Sequence, residues 1–357
     1  MASGREPQLL ADLVSHKYPI SAEVWGNFWD RLRERELEAG EALAVVCSLT
    51  THTPDGESVS ALLRSLQERN PRPDPPSQPT VNIVGTGGGP STFNLSTASA
   101  FVGASMGARV IKTGSRAYAS KTGSVDLLDR LGIKLTTSYE QTEEMLETFG
   151  MACAGPFVYP KELRLLARNI LPFGMKQMGR FFNLVGPFLG AVPVTKQITG
   201  TSDHSVVPMF KDLAAGDSTR EYWITWNDMG VDELLSIAPS QVYDTEKGEE
   251  FTLAPAEIGL AERSFDELKP VDDIDSTVAH FMALIGGVGP TAAIESIKLN
   301  ASALAINAGV AGDWPDALRM AGDAMAAGEP ARLIESLRAH GAQASAGVAS
   351  AKGSGGA

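Results

Sequence analysis

Two strand–loop–helix units follow each other within residues 81–132 and constrain the fold of this chain more than any other feature. The β-branched run at 81–84 predicts a strand, and the glycine-rich loop GTGGG follows it at 85–89. Small apolar residues at 94–107 predict a helix, and the same order repeats at 109–132. Repeated units of this kind favour an α/β fold with a mostly parallel central sheet.

Both loops carry the residues of an anion-binding site. Glycines let backbone N–H groups approach a ligand closely, and the amino ends of helices add partial positive charge. An amide, three hydroxyls and a lysine accompany them at Asn94, Ser96, Thr97, Ser120 and Lys112. The first loop is not a P-loop, because no Gly-Lys-Ser/Thr follows it. The two loops therefore predict a cradle for several phosphates.

A second candidate site is the acidic pair Asp232 and Glu233, which follows a predicted strand at 221–226. Mg²⁺ prefers one or two carboxylates together with substrate phosphates and water. Beside a phosphate cradle, the pair is therefore predicted to hold Mg²⁺, although an acidic pair alone would indicate only a solvated loop. His204 is expected to lie at the surface or to cap a helix rather than to act as an acid or base.

A proline-rich stretch divides the chain, with four amphipathic helices predicted before it. The predicted segments are a helical domain at 1–70, a linker at 71–80, the α/β domain at 81–158, a return to the helical domain at 159–190, the second part of the α/β domain at 191–340 and a disordered tail at 341–357.

Composition narrows the classes of function. With 43% hydrophobic and 20% charged residues, the chain is predicted to be a soluble globular protein. Its net charge of −13 argues against a nucleic-acid partner. Acidic residues outnumber basic ones about threefold at 211–275, which fits either a solvated surface or attraction of a cationic substrate or magnesium. Because neither a signal peptide nor a membrane span is visible, we expect a cytoplasmic protein without a membrane partner.

These motifs resemble those of the anthranilate phosphoribosyltransferase family, which is related in fold to the pyrimidine nucleoside phosphorylases. The resemblance covers nearly the whole chain, through GTGG at 85–88, NLST at 94–97, KTGSR at 112–116, SKTGSVDLLDRLG at 120–132, FNLVGP at 182–187 and GVDE at 230–233. It implies a small helical domain, a larger α/β domain, an active site in the cleft between them, and a homodimer formed through the helical domain. It also implies 5-phosphoribosyl diphosphate (PRPP) as the donor substrate and Mg²⁺, expected as two ions.

The resemblance also assigns roles to individual residues. The PRPP-binding residues would be Gly85, Thr86, Gly87, Gly88, Asn94, Ser96, Thr97, Lys112 and Ser120. Ser96, Asp232 and Glu233 would bind the metal. Lys112, Asp232 and Glu233 are the predicted catalytic residues.

Several positions depart from the family pattern. Gly89 replaces an aspartate of that pattern. The positions that differ on the acceptor side are Thr113, Ser115, Tyr159, Gly179 and Trp226, and Arg180 lies next to Gly179. Gly179 replaces an arginine, which is the natural bidentate partner of a carboxylate. We therefore expect an acceptor other than anthranilate, such as the hydroxyl of a cationic aminoglycoside in antibiotic biosynthesis. A hydroxyl would need a general base, and the candidates are Asp228, Asp232, Glu233 and His204.

Other functions stay open. The chain would be an anthranilate phosphoribosyltransferase of tryptophan biosynthesis if its acceptor site has diverged without a change of substrate. A nucleoside phosphorylase is disfavoured, because the first loop lacks the Lys-x-Ser-Thr-Gly-Gly-Val-Gly-Asp form. A non-catalytic relative that binds nucleic acid is disfavoured by the negative charge.

Overall fold

The computed structural model describes residues 7–114, 123–260, 263–271, 273 and 275–353. Within these ranges the α-helices are α1 Gln8–Val14, α2 Ala22–Glu34, α3 Glu41–Thr51, α4 Gly56–Gln67, α5 Leu95–Ser105, α6 Ser124–Leu131, α7 Tyr139–Phe149, α8 Lys161–Asn169, α9 Met175–Met178, α10 Arg180–Leu184, α11 Gly186–Leu189, α12 Val207–Ala215, α13 Thr277–Ile285, α14 Thr291–Asn307, α15 Trp314–Ala326 and α16 Glu329–Gly353. The strands are β1 Val81–Gly85, β2 Val110–Lys112, β3 Met151–Cys153, β4 Lys196–Gly200, β5 Glu221–Trp226, β6 Ser240–Asp244 and β7 Glu249–Leu253. None of the described helices is long and apolar enough to cross a membrane.

The strands form one seven-stranded sheet in the order β3-β2-β1-β4-β5-β6-β7. The five strands β3, β2, β1, β4 and β5 pair in parallel. The pairs β5–β6 and β6–β7 are antiparallel. Gly85, the last residue of β1, is the register partner of Gly200, the last residue of β4. Because the parallel strands end at one edge of the sheet, the loops after them converge there. The predicted α/β class with a mostly parallel sheet is confirmed.

The chain divides into two units. The helical unit contains Met1–Asp74, Pro156–Pro193 and Ser205–Thr219, and the α/β unit contains Pro75–Gly155, Val194–His204 and Arg220–Ala357. The sequence assigned residues 205–219 to the α/β domain, whereas the structure groups them with the helices. The reason is apolar packing: Phe210 of α12 meets Phe188 edge to face, with ring centroids 5.0 Å apart.

The carboxyl end of the chain also differs from the expectation. A disordered tail was predicted at 341–357, but α16 continues to Gly353, and residues 354–357 lie outside the described residues. Its last turns are rich in alanine, which has the highest helix propensity of all residues. The sequence prediction gave more weight to the glycine and serine content of this segment than to the helix propensity of its alanines. In the structure, the segment up to Gly353 is helical.

The core of the α/β unit lies between the sheet and the buried helices α5 and α14. Ile83 of β1 and Ile198 of β4 face this core. A Cβ on Gly103 of α5 would lie 3.1 Å from Cδ1 of Leu304 on α14, so the two helices approach each other closely at this glycine. Asn300 of α14 also contacts the loop after β5, through the backbone of Leu234.

The hairpin of β6 and β7 is absent from the sequence prediction. Its turn contains Gly248 with a φ of +66°, a conformation that favours glycine. Glu249 and Glu250 at the start of β7 are exposed, so the strand lacks the apolar alternation that would have revealed it. Part of the acidic segment is therefore the outer strand of the sheet.

Candidate active site

The loop after β1 is held in shape by residues at the end of β4. The N–H of Thr86 donates to the carbonyl oxygen of Gly200 at 3.1 Å. The hydroxyl of Ser202 donates to the carbonyl oxygen of Gly87 at 2.7 Å. Gly87 and Gly88 have φ angles of +67° and +88°, which other residues rarely adopt. The glycines are therefore required by the conformation of the loop itself.

Asp232 lies directly against this loop. Its Oδ2 accepts the backbone N–H of Gly87 at 2.6 Å. A Cβ on Gly85 would lie 2.0 Å from the same oxygen, and a Cβ on Gly200 would lie 1.9 Å from the carbonyl oxygen of Asp232. The last residues of β1 and β4 must therefore be glycine for Asp232 to occupy this position.

Glu233 lies at the amino end of α5. Its Oε1 accepts the backbone N–H of Ser96 at 2.9 Å, and its Oε2 accepts the hydroxyl of Thr92 at 2.6 Å. Asn94 precedes the helix in the left-handed conformation, with φ 60° and ψ 40°. The first N–H groups of a helix have no partner within the helix and carry partial positive charge, which favours a carboxylate here. The fully buried hydroxyl of Thr97, in the same turn, has no hydrogen-bond partner among the described residues.

Lys112, the last residue of β2, is buried with 3% of its surface exposed. Its Nζ donates to the carbonyl oxygen of Thr113 at 2.6 Å. Burial lowers the pKa of Lys112 to about 8, although the negative charges of Glu233 and Asp232 act in the opposite direction. Burial also raises the pKa of Cys153 to about 12, so this thiol stays protonated at neutral pH. The positive charge of Lys112 favours the ionised form of Asp232 and Glu233, and Lys112 loses this charge near pH 8.

The acidic pair titrates at unusually high pH. Burial raises the pKa of Glu233 to about 7, and the neighbouring charge of Asp232 adds to this effect. Burial also raises the pKa of Asp232, while the N–H of Gly87 acts against it. In the part of the chain that the structure describes, no three His, Cys, Asp or Glu side chains converge. A cation held by this pair would therefore need further oxygen ligands from a substrate or from water.

Comparison with known proteins identifies the group to which this site belongs. The glycosyl transferase family, a/b domain, matches residues 77–331. An anthranilate phosphoribosyltransferase of Desulfatibacillum aliphaticivorans is 28% identical over 333 residues, which are 92% of this chain and 97% of that protein. Anthranilate phosphoribosyltransferase 2 of Streptomyces coelicolor is 31% identical over 304 residues, which are 84% and 89% of the two chains. The chain belongs to the anthranilate phosphoribosyltransferase family.

The fold agrees with this family. Anthranilate phosphoribosyltransferase from Saccharomyces cerevisiae, in a structure in complex with PRPP and Mg, superposes with a TM-score of 0.76 over 94% of this chain and 97% of that one. Their sequences are 20% identical, so this likeness concerns the fold. The predicted family is confirmed, and with it the predicted class of enzyme, a PRPP-dependent phosphoribosyltransferase.

The structure brings most of the residues assigned to the donor and to the metal into one place. Those joined by direct contacts are Gly85, Thr86, Gly87, Ser96, Asp232 and Glu233. A Cβ on Gly88 would lie 3.6 Å from the hydroxyl of Ser202, and Asn94 and Thr97 belong to the first turn of α5. Ser120 lies outside the described residues. The individual roles of these residues in binding PRPP stay predictions.

The residues assigned to the acceptor belong to both units of the chain. The hydroxyl of Thr113 accepts a hydrogen bond from Nδ2 of Asn82 at 3.1 Å, inside the α/β unit. The helical unit contains Tyr159, Gly179 and Arg180. Ser115 lies outside the described residues. The acceptor roles of these residues therefore stay predictions.

The site contains residues that the sequence prediction missed. Thr92 binds Glu233, Ser202 binds the glycine loop, and Asn227 binds the loop that carries the acidic pair. His204 is tethered as well, since its Nε2 lies 2.7 Å from the carbonyl oxygen of Asn227. Ser202 and Asn227 directly follow the region where β4 and β5 end. Short polar residues at the carboxyl ends of parallel strands were the signal that would have identified them.

Proposed function

We propose that the chain transfers the 5-phosphoribosyl group of PRPP to a nucleophilic acceptor and releases diphosphate. The observation that carries this proposal is the meeting of two amide N–H groups, of Gly87 and Ser96, with the carboxylates of Asp232 and Glu233. Amide N–H groups suit phosphate oxygens, and paired carboxylates suit a divalent cation. A diphosphate with bound Mg²⁺ offers both partners at once.

The donor set fits Mg²⁺. Asp232, Glu233 and Ser96 would hold the ion, and the remaining ligands would be oxygens of PRPP and water. The buried hydroxyl of Thr97 would gain a hydrogen-bond partner from a ligand at the amino end of α5, where it has none among the described residues. When bound, Mg²⁺ would neutralise part of the negative charge on the departing diphosphate.

The protein groups would act on the charges that develop during transfer. The bond between C1 of the ribose and the diphosphate oxygen breaks, and its electron pair leaves with the diphosphate. The N–H groups of Gly87 and Ser96 and the ammonium of Lys112 would stabilise this negative charge. An acceptor nitrogen or oxygen then bonds to C1 and loses its proton. An aromatic amine needs no strong base for this step, whereas a hydroxyl does.

The acceptor is inferred to differ from anthranilate. A Cβ on Gly89 would lie 2.0 Å from the carbonyl oxygen of Gly230, and a Cβ on Gly179 would lie 2.5 Å from the carbonyl oxygen of Met175. Backbone of this chain thus occupies the space that any longer side chain would enter at both positions. Without an arginine at position 179, a neutral or cationic acceptor is favoured over a carboxylate, and an aminoglycoside hydroxyl fits the net charge of −13.

Anthranilate itself is the second candidate acceptor, because the similar proteins described above are anthranilate phosphoribosyltransferases. The deciding experiment incubates the protein with PRPP and Mg²⁺ and detects phosphoribosyl adducts of anthranilate, other aromatic amines and aminoglycosides by mass spectrometry. The Asp232→Asn, Glu233→Gln double variant is the control. Efficient turnover of anthranilate would overturn the proposed change of acceptor, and no diphosphate release with any acceptor would overturn the transfer itself.

A homodimer formed through the helical domain stays part of the proposal. Four large apolar side chains are exposed among the described residues, and three of them, Val14, Leu171 and Phe173, belong to the helical unit. The molar mass measured by light scattering at several protein concentrations tests this point.

A further inference from the structure

The loop that carries the acidic pair is fixed at its beginning by Asn227, which follows β5. The side chain of Asn227 is 2% exposed and forms three hydrogen bonds with the loop. Its Nδ2 donates to the carbonyl oxygens of Val231 and Glu233 at 2.8 and 3.0 Å, and its Oδ1 accepts the N–H of Val231 at 3.2 Å. One side chain thereby fixes the backbone on both sides of Asp232.

The same loop is fixed at its end by Asn300 of α14, which is fully buried. The Oδ1 of Asn300 accepts the N–H of Leu234 at 3.2 Å, and its Nδ2 donates to the carbonyl oxygen of Leu234 at 2.7 Å. Ser296, one turn earlier on the same face of α14, accepts the N–H of Ser236 through its hydroxyl at 3.1 Å. Polar side chains four residues apart on a buried helix thus hold consecutive parts of the loop.

This arrangement has a chemical consequence for Asp232 and Glu233. Two adjacent carboxylates repel each other, and a free loop would turn them apart. Here the backbone of Val231, Glu233 and Leu234 is bonded to Asn227 and Asn300. The loop therefore keeps the carboxylate of Asp232 at the N–H of Gly87 and that of Glu233 at the N–H of Ser96.

We propose that Asn227 and Asn300 are positioning residues that hold the acidic pair in the geometry required to bind Mg²⁺ together with PRPP. The inference rests on the proposed function and deepens it. Neither asparagine needs to touch the metal or the substrate. Their contribution is transmitted through the backbone of residues 231–234, in the way that outer groups of metal sites orient the ligands themselves.

The test measures the enhancement of PRPP binding by Mg²⁺, defined as the ratio of the PRPP dissociation constants without and with Mg²⁺. Calorimetric titration without any acceptor gives both constants. We expect Asn227→Ala and Asn300→Ala each to reduce the enhancement by about 10- to 100-fold, the usual effect of removing a group that orients metal ligands.

The chain offers a matched control for Asn300. Asn307 lies on the same helix, is 7% exposed, and donates through Nδ2 to the carbonyl oxygen of Ala303 in its own helix, at 2.9 Å. Asn307→Ala should lower the melting temperature as other buried truncations do, yet leave the enhancement within about twofold of the unaltered protein. An equal loss of enhancement in Asn307→Ala and Asn300→Ala would overturn the proposal.

A double-mutant cycle separates positioning from loss of structure. If Asn300 acts only through the carboxylates, Asn300→Ala should have little further effect on PRPP binding in the Asp232→Asn, Glu233→Gln background. An undiminished effect in that background contradicts the proposal. Should Asn300→Ala fail to fold, Asn227→Leu decides, because it approximates the shape of Asn227 and removes its hydrogen-bonding groups without adding a charge beside the acidic pair.

The outcomes distinguish this inference from the proposed function. If the unaltered protein shows no enhancement of PRPP binding by Mg²⁺, the proposed function fails and the positioning role fails with it. If the unaltered protein shows the enhancement and the Asn227 and Asn300 variants retain it, only the positioning role fails.

Discussion

The carboxylate of Glu233 accepts the backbone N–H of Ser96 at 2.9 Å, so an acidic side chain caps the amino end of α5. Asp232 engages the N–H of Gly87 in the same way, at 2.6 Å. These amides are also the groups that suit phosphate oxygens at a helix terminus and in a glycine loop. The acidic pair and a bound diphosphate therefore compete for the same donors unless a cation draws the carboxylates away from them.

This competition predicts opposite effects of Glu233→Gln with and without magnesium. With Mg²⁺, we expect PRPP to bind about tenfold more weakly or worse, because one of two metal carboxylates is lost. Without Mg²⁺, diphosphate should bind at least as tightly as to the unaltered protein, because a negative charge has been removed next to it. Calorimetric titrations under both conditions check this, with the exposed Glu249→Gln as control. If Glu233→Gln weakens binding both with and without Mg²⁺, the carboxylate and the diphosphate do not compete for the same N–H groups.

Binding of PRPP with Mg²⁺ should have a bell-shaped dependence on pH. Glu233, with a pKa of about 7, must lose its proton to hold a cation, and Lys112, with a pKa of about 8, must keep its proton to attract phosphate. The affinity should therefore be highest between these values and fall on both sides. Replacing Lys112 by arginine, which keeps its charge, should remove the decrease at high pH. A decrease that persists in Lys112→Arg would exclude Lys112 as its cause.

The raised pKa of Glu233 also predicts how stability changes with pH. The pKa is about 7 in the folded protein and 4.5 for an ordinary glutamate, so the folded protein binds more protons than the unfolded chain between these values. Stability contributed by this group therefore falls as pH rises through that window. We expect Glu233→Gln to stabilise the protein more above pH 7 than below pH 4.5 in urea unfolding experiments, and an equal effect at both pH values would contradict this.

The sequence predicted which residues form the site but not which of their atoms form the hydrogen bonds. Gly87, Ser96 and Glu233 were all expected to bind ligand, yet Ser96 meets Glu233 through its backbone N–H. That contact depends on how α5 begins, which a residue pattern does not specify. The motif GVDE likewise revealed a carboxylate pair without the bonds that hold it.

What remained hidden depends on contacts distant in sequence. Asn300 bonds to Leu234, 66 positions away, because α14 packs beneath the loop. The helical pattern around Asn300 predicts a helix there but does not specify this contact. The hairpin of β6 and β7 was missed for a different reason, since exposed Glu249 and Glu250 conceal the alternation of a strand. Neither feature is encoded by local periodicity.

Restoring the family aspartate at position 89 should harm this protein. In Gly89→Asp the new Cβ would lie 2.0 Å from the carbonyl oxygen of Gly230 and 2.9 Å from Cβ of Ser202. Overpacking of this kind destabilises proteins by about 1–3 kcal/mol, so we expect a lower melting temperature and no gain in anthranilate turnover. Gly312→Ala, whose Cβ would have no atom within 4 Å, is the control. A stable Gly89→Asp protein with increased anthranilate turnover would show that the glycine is dispensable.

Asn94 should have separable roles in its backbone and its side chain. Its φ of 60° lies in the left-handed region, which glycine adopts without strain and alanine adopts at a cost of about 1–2 kcal/mol. We therefore expect Asn94→Ala to lower the free energy of unfolding by about 1 kcal/mol and Asn94→Gly to change it less. If the amide also contacts the donor, both variants should weaken PRPP binding to a similar extent. Urea unfolding and calorimetric titration measure the two effects independently. Normal PRPP affinity in Asn94→Gly would restrict Asn94 to shaping the turn before α5.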